Sequence, residues 1–474
     1  MIPAIAIFDL GRTHKKFLIF DQDYEIVEEI TTVIPDIKDG DGDACEDIKA
    51  IADWMKKQVN TALQNQNVDI KAINFSAHGA SLVHIDSTGK PATPFYDYMK
   101  ALPSEVTADF YKQFAGRAGF SIATGSPALN LLNSGIQLYW LKKYRPEQYK
   151  KIESSLHLPQ YGNFIFSGKK HADITSIGCH TGLWDFKKQT YHHWLRDNNL
   201  QLLLPQAEPV DAHDQIVINK KRIPVGIGMH DSSAALLPFV KTAKQPFLLL
   251  SSGTWNITLN PFFEGSLEKE KYLRDCLYYL LDVERKVAAS RLFLGNEYDF
   301  QAKRLASQFN RDLAQLEVKP DVELLKGVLE NRTKERTFHP ETMAGTGPFP
   351  ELKGKAVDLS LFSSFEEAYH QLMFDLTCLQ KESVELICGR VKCLYISGGF
   401  VKNKLFMELL QAFFPGWEIF IAENKRASAL GAAIALHETW QNDPLPEDIS
   451  PVVRFEPQLD IDLSRYGVSK FVNK

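Results

Sequence analysis

Two stretches of the chain share one design, in which an apolar run enters a polar turn with a glycine and a second apolar run leaves it. The clearer copy is residues 247–259, where four apolar residues precede Ser251-Ser252-Gly253-Thr254 and β-prone residues follow. This pattern predicts a β-hairpin with a glycine at the bend. The N–H groups and hydroxyls of such a turn can bind an anion such as phosphate, although an ordinary hairpin has the same composition.

The second copy lies near the first residue, where Ile5–Phe8 lead into Asp9-Leu10-Gly11-Arg12-Thr13 and Lys16–Phe20 leave it. Two copies of one design indicate two halves built on the same plan. Because 474 residues exceed what one hydrophobic core supports, domains at 1–240 and 241–474 are predicted. If the halves face each other, the two turns can hold one phosphate chain between them.

The composition excludes several classes of protein. A formal net charge of -5 gives no reason to expect nucleic acid or an anionic membrane as a partner. The six cysteines include no C-x-x-C pair, which argues against a structural metal site and favours reduced thiols. No basic and apolar leader precedes the first strand, and no apolar run approaches membrane-spanning length. A cytoplasmic protein is therefore predicted.

Two polar features of the first half are candidate sugar-binding groups. His78 follows a predicted strand, and a histidine at a strand end either reaches into a binding site or has a structural purpose. Asp97 lies in an aromatic loop, residues 95–100, that two prolines frame. A carboxylate among aromatic rings can bind sugar hydroxyls, but a surface loop has the same composition.

An acidic stretch, residues 36–43, spaces its aspartates like a calcium loop. Such a loop needs glycine at its sixth position and glutamate at its twelfth, where this chain has Ala44 and Ala50. Calcium is therefore excluded, and a solvated loop before an amphipathic helix is predicted.

Asp231 stands where a predicted strand and a glycine-containing bend lead into a helix. Aspartate is among the best residues for capping the start of a helix, which explains its position without chemistry. A carboxylate at the mouth of a strand–helix junction is also a good general base.

The second half contains a further strand–helix junction, with Ser397-Gly398-Gly399 after the strand and a helix from about Asn403. Two glycines let a ligand lie close against the backbone. The small residues of 427–431 permit close packing, either near a nucleotide or against another helix. No chemistry can be assigned to 267–349.

Taken in order, these motifs resemble those of the FGGY family of carbohydrate kinases over roughly residues 4–440. Residues 9–13 are similar to the family's first phosphate motif and 251–255 to its second. Residues 228–231 resemble the segment with the catalytic aspartate, and 397–403 with 427–431 resemble the adenosine motif. The resemblance implies an α/β protein with the two-domain actin-like ATPase (ribonuclease H-like) fold and an interdomain cleft.

The resemblance also implies an ATP-dependent kinase that uses Mg²⁺. Asp231 is the expected catalytic base, and Asp9 is expected to hold Mg²⁺ through water. His78, Asp97 and Asp231 are the expected sugar-binding residues. The expected nucleotide-binding residues are Gly11, Thr13, Gly253, Thr254, Gly398, Gly399 and Asn403.

Two motifs imply different sugars. Residues 251–255 are similar to the kinases of 6-deoxyketoses, rhamnulokinase and fuculokinase, whereas 77–80 are similar to xylulokinases. The expected partner is a small-molecule ketose, either L-rhamnulose or L-fuculose or a pentulose such as xylulose. A non-kinase ATPase or a sugar sensor of the same fold is the alternative. The oligomeric state stays open, with a homodimer as one option.

The first phosphate turn departs from the family pattern, because Arg12 and His14 stand where many members have small polar residues. Their positive charge either assists phosphate binding or indicates a changed geometry. Lys100 stands where an arginine is frequent after the sugar-loop aspartate, and Arg426 where a glutamate is often found.

Overall fold

The structure, a computed structural model, describes residues 1–312, 318–352, 354–422 and 426–467. The chain forms two compact units, each built from more than one segment. Unit 1 consists of residues 1–242, 277–286 and 426–450, and unit 2 of 243–276, 287–425 and 451–474. These units differ from the predicted division at residue 240 in two segments of the second half, 277–286 and 426–450, which belong to unit 1.

The secondary structure alternates strands and helices throughout both units. The strands are β1 (Ile2–Leu10), β2 (Lys15–Phe20), β3 (Ile26–Thr32), β4 (Ile37–Lys38), β5 (Ala44–Cys45), β6 (Val68–Ala77), β7 (Leu82–Ile85), β8 (Ser154–His157), β9 (Ala172–Asp173), β10 (Trp184–Asp185), β11 (Thr190–Tyr191), β12 (Ala207–Glu208), β13 (His213–Ile218), β14 (Lys221–Gly226), β15 (Met229–His230), β16 (Leu248–Ser252), β17 (Asn256–Asn260), β18 (Cys276–Leu280), β19 (Lys286–Leu292), β20 (Cys393–Gly398), β21 (Glu418–Ala422) and β22 (Val452–Arg454).

The α-helices are α1 (Ile48–Gln64), α2 (Ser104–Lys112), α3 (Arg117–Thr124), α4 (Ser134–Tyr144), α5 (Pro146–Tyr149), α6 (Leu158–Ser167), α7 (Ile174–Ile177), α8 (His193–Asp197), α9 (Asp231–Thr242), α10 (Lys269–Leu273), α11 (Leu294–Gln308), α12 (Val322–Glu330), α13 (Phe365–Glu385), α14 (Lys404–Phe413), α15 (Ala427–Ala435) and α16 (His437–Trp440). None of these described helices is long and apolar enough to cross a membrane.

Unit 1 is organised around a seven-stranded sheet with the order β13-β14-β6-β1-β2-β3, and β15 pairs with β6 beside β14. The predicted hairpin is confirmed, because β1 and β2 pair antiparallel and Asp9 lies opposite Lys16. Strands β1 and β15 both run parallel to β6. Since the ends of parallel strands meet at one edge, the sheet brings Asp9, His78 and Asp231 to the same edge.

The junction before α9 depends on a bend at Gly228 and on a buried amide, Asn74 of β6. Gly228 has a φ of +79°, in the left-handed region that favours glycine. Asn74 accepts a hydrogen bond from Gly228 N (3.1 Å) and donates one to the carbonyl oxygen of Ala432 in α15 (2.7 Å). This amide therefore fixes both the bend that leads to Asp231 and the helix that packs beside it.

Helices α9 and α15 pack at very close range. A methyl group at Gly431 would overlap the carbonyl oxygen of Ala234, and it would lie 2.9 Å from Ala234 Cα. The small residues of 427–431 therefore allow α15 to pack closely against α9, both in unit 1. Of the two interpretations of this stretch, the structure supports helix packing.

Within unit 2, the strands of a second sheet pair in the order β19-β17-β16-β20-β21-β22. The second predicted hairpin is also confirmed, since β16 and β17 pair antiparallel with Leu249 opposite Leu259. Strand β20 runs parallel to β16 and places Gly398 opposite Ser252. Helix α13 supplies much of the apolar core of this unit. The pairing of β16 with β20 brings the turn after β16 next to the two glycines after β20.

Candidate active site

Two carboxylates lie close to each other at the edge of the sheet in unit 1. Asp9 is 6% exposed, and its Oδ2 lies 3.3 Å from the Nζ of Lys16 on the paired strand. Asp231 is the first residue of α9, its side chain is 35% exposed, and it accepts a hydrogen bond from the Ser232 hydroxyl (3.2 Å). Asp9 is therefore held in the interior, whereas the carboxylate of Asp231 is partly exposed.

The pKa values of both acids are raised. Burial raises the pKa of the Asp9 carboxyl, Lys16 counteracts this, and the charge of Asp231 raises it further. Burial likewise raises the pKa of Asp231, while His78 and Ser232 counteract it. A buried acid whose pKa is raised further by the charge of a second acid forms a site suited to a cation or to proton transfer.

His230 precedes Asp231, and its Nε2 lies 3.3 Å from Asp231 Oδ1. The ring is 2% exposed, and burial lowers the pKa of His230 to about 3, so the imidazole is neutral. It stacks on Tyr279 with ring centroids 5.5 Å apart. A methyl group at Gly79 would lie 2.5 Å from His230 Cδ2, so this glycine leaves the space that the ring occupies.

His78, the predicted sugar ligand, is held by a buried glutamate that the sequence did not single out. His78 Nε2 lies 3.0 Å from Glu46 Oε2, and Lys15 forms an ion pair with the other oxygen of Glu46. Burial opposes the charge of Glu46, but the hydrogen bond with His78 and the charge of Lys15 lower its pKa overall. The carboxylate can only accept, so Nε2 carries the hydrogen of this contact, and Nδ1 is buried without a hydrogen-bond partner among the described residues.

The first phosphate turn is fastened from both sides. Lys15 Nζ donates to the carbonyl oxygens of Gly11 and Arg12, each at 2.8 Å. The guanidinium of Arg12 donates to Asp97 Oδ2 (2.7 Å) and to both oxygens of Asp36. Arg12 therefore joins the phosphate turn to the predicted sugar loop, and two carboxylates neutralise its charge. Thr13 at the tip of the turn is exposed.

The acidic stretch surrounds a lysine. Lys100 Nζ lies 2.7 Å from Asp39 and 3.1 Å from Asp41, and it also pairs with Asp43. Asp39 is only 8% exposed, so the prediction of a solvated loop is wrong at this residue. The lysine therefore offsets part of the negative charge of these three aspartates.

The phosphate turn of unit 2 is built by contacts with its neighbours. Ser252 Oγ donates to the carbonyl oxygen of Ser397 (2.6 Å) and accepts from Phe400 N (3.1 Å). Gly253 N donates to the side chain of Asn256 at 3.2 Å. Thr254 beside it is exposed. These contacts leave the turn rigid, with Gly253 and Thr254 facing outward.

A cavity of about 370 Å³ opens beside this turn, entirely within unit 2. It is lined by Gly253, Thr254, Gly295, Tyr298, Asp299, Val318, Tyr369, Gly399, Phe400, Lys402, Asn403 and Lys404. Its walls combine aromatic rings, a phosphate-type turn and lysines. That combination suits a ligand with an aromatic base and an anionic group.

The predicted nucleotide residues of unit 2 differ in their surroundings. A methyl group at Gly399 would meet nothing within 4 Å, so its backbone is open to a ligand. Gly398 is not among the residues that line the cavity. It lies against the backbone of Ser252, and a side chain at position 398 would overlap that backbone. Asn403 lines the cavity, but its amide caps α14 at Phe406 N (3.1 Å) and donates to Tyr369 Oη (2.9 Å).

Tyr298 and Asp299 line the same cavity and were missed by sequence reasoning. They lie on α11, in the stretch to which no chemistry could be assigned. An aromatic and an acid on a helix give no local signal of a binding site. Their role becomes visible only because Gly295, one turn earlier, lies directly against the backbone of Gly253.

Comparison with known proteins connects this geometry to a family. The N-terminal domain model of the FGGY family of carbohydrate kinases matches residues 4–237, and the C-terminal domain model of the same family matches residues 244–444. The chain belongs to the FGGY family of carbohydrate kinases. Members of this FGGY family are phosphotransferases with a hydroxyl acceptor.

An FGGY relative of known name is the rhamnulokinase of Halalkalibacterium halodurans. It is 23% identical over 263 residues, which is 52% of this chain and 54% of that protein. The chain thus spans about half the length of the curated relative that it matches.

Solved structures of FGGY-type kinases share the fold. A carbohydrate kinase from Novosphingobium aromaticivorans has a TM-score of 0.78 at 24% identity, with 96% of this chain and 94% of that chain covered. A xylulose kinase from Lactobacillus acidophilus has a TM-score of 0.77 at 16% identity over the same shares. These likenesses show the α/β actin-like ATPase fold.

Proposed function

We propose that this chain is an ATP-dependent sugar kinase that transfers the γ-phosphoryl group to a hydroxyl of a ketose. The observation that carries the proposal is Asp231, an accessible carboxylate of raised pKa at the start of α9 in a chain of the FGGY family. Phosphoryl transfer needs positioning and charge neutralisation rather than covalent catalysis by the protein.

Asp231 has the role of general base in this proposal. Its carboxylate accepts the proton of the attacking sugar hydroxyl. A pKa raised by burial brings the base nearer to the operating pH, which makes proton transfer more efficient. The neighbouring His230 is neutral and leaves the negative charge of Asp231 in place.

Mg²⁺ is the cofactor that the family implies, and the residues at Asp9 fit it. Carboxylate oxygens are the ligands that Mg²⁺ prefers, and Asp9 is a carboxylate whose charge is disfavoured by burial and by Asp231, so a cation there would stabilise it. Asp9 would hold the ion, which would neutralise charge on the phosphates. Lys16 keeps Asp9 oriented along the strand edge.

The nucleotide is assigned to the cavity of unit 2, where Gly253, Thr254 and Gly399 offer open backbone. Gly11 and Thr13, in the turn of unit 1, stay predicted phosphate-binding residues. Gly398 and Asn403 support the surface of the cavity by packing and capping, as a refinement of the predicted direct contacts. Tyr298 adds an aromatic wall for a base.

The sugar is assigned to His78 and Asp97, with Asp231 at the reacting hydroxyl. His78 Nδ1, which has no hydrogen-bond partner in the described part of the chain, can form a hydrogen bond with a sugar hydroxyl, and Asp97 is held in place by Arg12. The names of the relatives, rhamnulokinase and xylulose kinase, support 6-deoxyketohexoses such as L-rhamnulose or L-fuculose and pentuloses such as xylulose as acceptors. A cytoplasmic location fits these substrates.

The test is a panel of ketoses and polyols with coupled detection of ADP. A kinase releases ADP far faster with one sugar than without any, whereas a sugar sensor binds a sugar without that increase. The substitution Asp231→Asn is expected to lower turnover by at least about 100-fold and to leave sugar and nucleotide binding near normal. The matched control is Asp211→Asn, an exposed loop acid of the same unit, which should keep full turnover. Near-normal turnover of Asp231→Asn would remove Asp231 from its role.

A further inference from the structure

Three side chains next to Asp231 have the chemistry of a metal site and no part in phosphoryl transfer. Cys179, His180 and His230 each offer a ligand atom, and these atoms lie within 4.8 Å of one another. All three residues are buried, at 1%, 8% and 2% exposure. Cys179 and His180 follow α7, whereas His230 ends β15. The fold therefore brings together ligands that are distant in the sequence.

The two histidines are prepared to act as ligands. His180 Nδ1 lies 2.9 Å from the carbonyl oxygen of Leu132, which can only accept, so Nδ1 carries the hydrogen. Its Nε2 then carries the lone pair that a metal would need, and a backbone carbonyl on the other nitrogen is the usual support of a metal-bound histidine. His230 presents Nε2 to the cluster, because this nitrogen lies 3.3 Å from Asp231 Oδ1.

The space and the fourth ligand are also present. Gly79 has no side chain where a methyl group would lie 3.1 Å from both Cys179 Sγ and His230 Nε2. Asp231 Oδ1 lies 3.3 Å from His230 Nε2, and ligand atoms in a tetrahedral zinc site lie about 3.3–3.8 Å apart, given metal–ligand bonds of about 2.0–2.3 Å. A contraction on the order of 1 Å would therefore close a four-ligand site.

The ligand set determines the class of cation. Thiolate and imidazole select zinc-class ions, whereas Mg²⁺ prefers oxygen ligands. We propose that Cys179, His180 and His230 bind a zinc-class divalent cation, and that Asp231 completes the site. The thiol releases its proton to solvent as the metal–sulfur bond forms.

Occupancy of this cation site would regulate the enzyme, an inference that rests on the proposed function. A cation that takes the carboxylate of Asp231 prevents it from accepting a proton. The bound cation therefore inhibits phosphoryl transfer. Inhibition by zinc-class ions would remain distinct from any requirement for Mg²⁺, since the two ions prefer different ligands.

Binding is tested without any activity, by titrating the purified protein with Cd²⁺ and recording the near-ultraviolet band of a cadmium thiolate. The expected result is one equivalent bound with that band, its loss in Cys179→Ser, and its retention in Cys388→Ser. Cys388 is the matched control, because it is a more exposed free thiol outside the cluster. A band that persists in Cys179→Ser, or no binding by the wild type, would overturn the site.

A second variant covers the case in which Cys179→Ser does not fold. His180→Gln leaves the thiol in place and should weaken Cd²⁺ binding by at least about tenfold. Unchanged affinity in this variant would contradict the proposal.

The regulatory step is tested with zinc-buffered assays at saturating Mg²⁺. Zn²⁺ should inhibit turnover of the wild type and of Cys388→Ser, but not of Cys179→Ser. Cadmium binding without zinc inhibition would overturn the assignment of Asp231 as a ligand. If no sugar supports turnover, the proposed function fails, and the cadmium titration still decides the site.

Discussion

The contact between α9 and α15 predicts an unusual outcome for a glycine-to-alanine substitution in a helix. Gly431 lies in the interior of α15, where alanine would normally stabilise the helix by about 1 kcal/mol. Here the methyl group would overlap the carbonyl oxygen of Ala234 and lie 2.5 Å from its carbonyl carbon. Because carbon atoms pack at about 3.5–4.0 Å, the two helices must separate by on the order of 1 Å.

The size of the effect follows from these two opposing contributions. Overpacking costs about 1–3 kcal/mol, and the upper end applies because a backbone atom cannot rotate away. After the gain in helix propensity, Gly431→Ala should lose about 2 kcal/mol of stability, which lowers Tm by about 4–8 °C. A shift of α9 also displaces Asp231, and a misplacement of about 1 Å can cost roughly 100-fold in turnover.

Differential scanning calorimetry and the coupled kinase assay measure both consequences. The matched control is Gly327→Ala, an interior glycine of α12 where a methyl group would meet nothing within 4 Å. This variant should gain up to about 1 kcal/mol and keep full turnover. The reasoning is refuted if Gly431→Ala is as stable as Gly327→Ala.

Three further predictions concern charged groups. Removing the guanidinium in Arg12→Ala releases Asp97 and should raise KM for the sugar more than KM for ATP. Arg12→Lys should recover part of the lost sugar binding. Equal effects on both KM values would contradict this prediction. Burial raises the pKa of Asp231, and this base must be deprotonated to accept a proton. Therefore kcat should fall on acidification with an apparent pKa above about 3.9, the ordinary value for aspartate. A fall in kcat with an apparent pKa at or below that value would argue against the assignment. Burial raises the pKa of Asp375 to about 6. Between about pH 4 and 6, the native state therefore binds more protons than the unfolded state, and the wild type loses stability as the pH rises through this window. In urea unfolding, the free energy of unfolding of Asp375→Asn relative to that of the wild type should rise by up to roughly 3 kcal/mol between about pH 4 and 6. A difference that stays constant with pH would refute the assignment.

The hairpins were predictable because their signals are local. In β1–β2 and in β16–β17, apolar runs and a glycine turn lie within about twenty residues, and backbone preference alone specifies the pairing. The helix that begins at Asp231 is encoded in the same way. Sequence reasoning therefore located the segments that carry the candidate site.

The contacts of the site residues were not predictable. Lys15 and Glu46 pair in the interior although each looks like an ordinary surface charge in the sequence, and Lys100 gathers three acids of a stretch expected to be solvated. Such pairs form because burial of one charge requires a partner, and the partner is chosen by the fold. The spacing of the cysteines likewise argued against a structural metal site. That spacing does not reveal that His230, distant in the sequence, lies beside Cys179 in the fold.

The amino-acid sequence by itself determined the elements, the family and the residue types available for chemistry, because strand, turn and helix preferences act over a few neighbouring residues. Tertiary structure alone decided which of those residues meet. Parallel pairing of β1 and β15 with β6 brings Asp9 and Asp231 to one edge across more than two hundred residues. The resulting burial raises the pKa of both acids, and no local pattern contains that information.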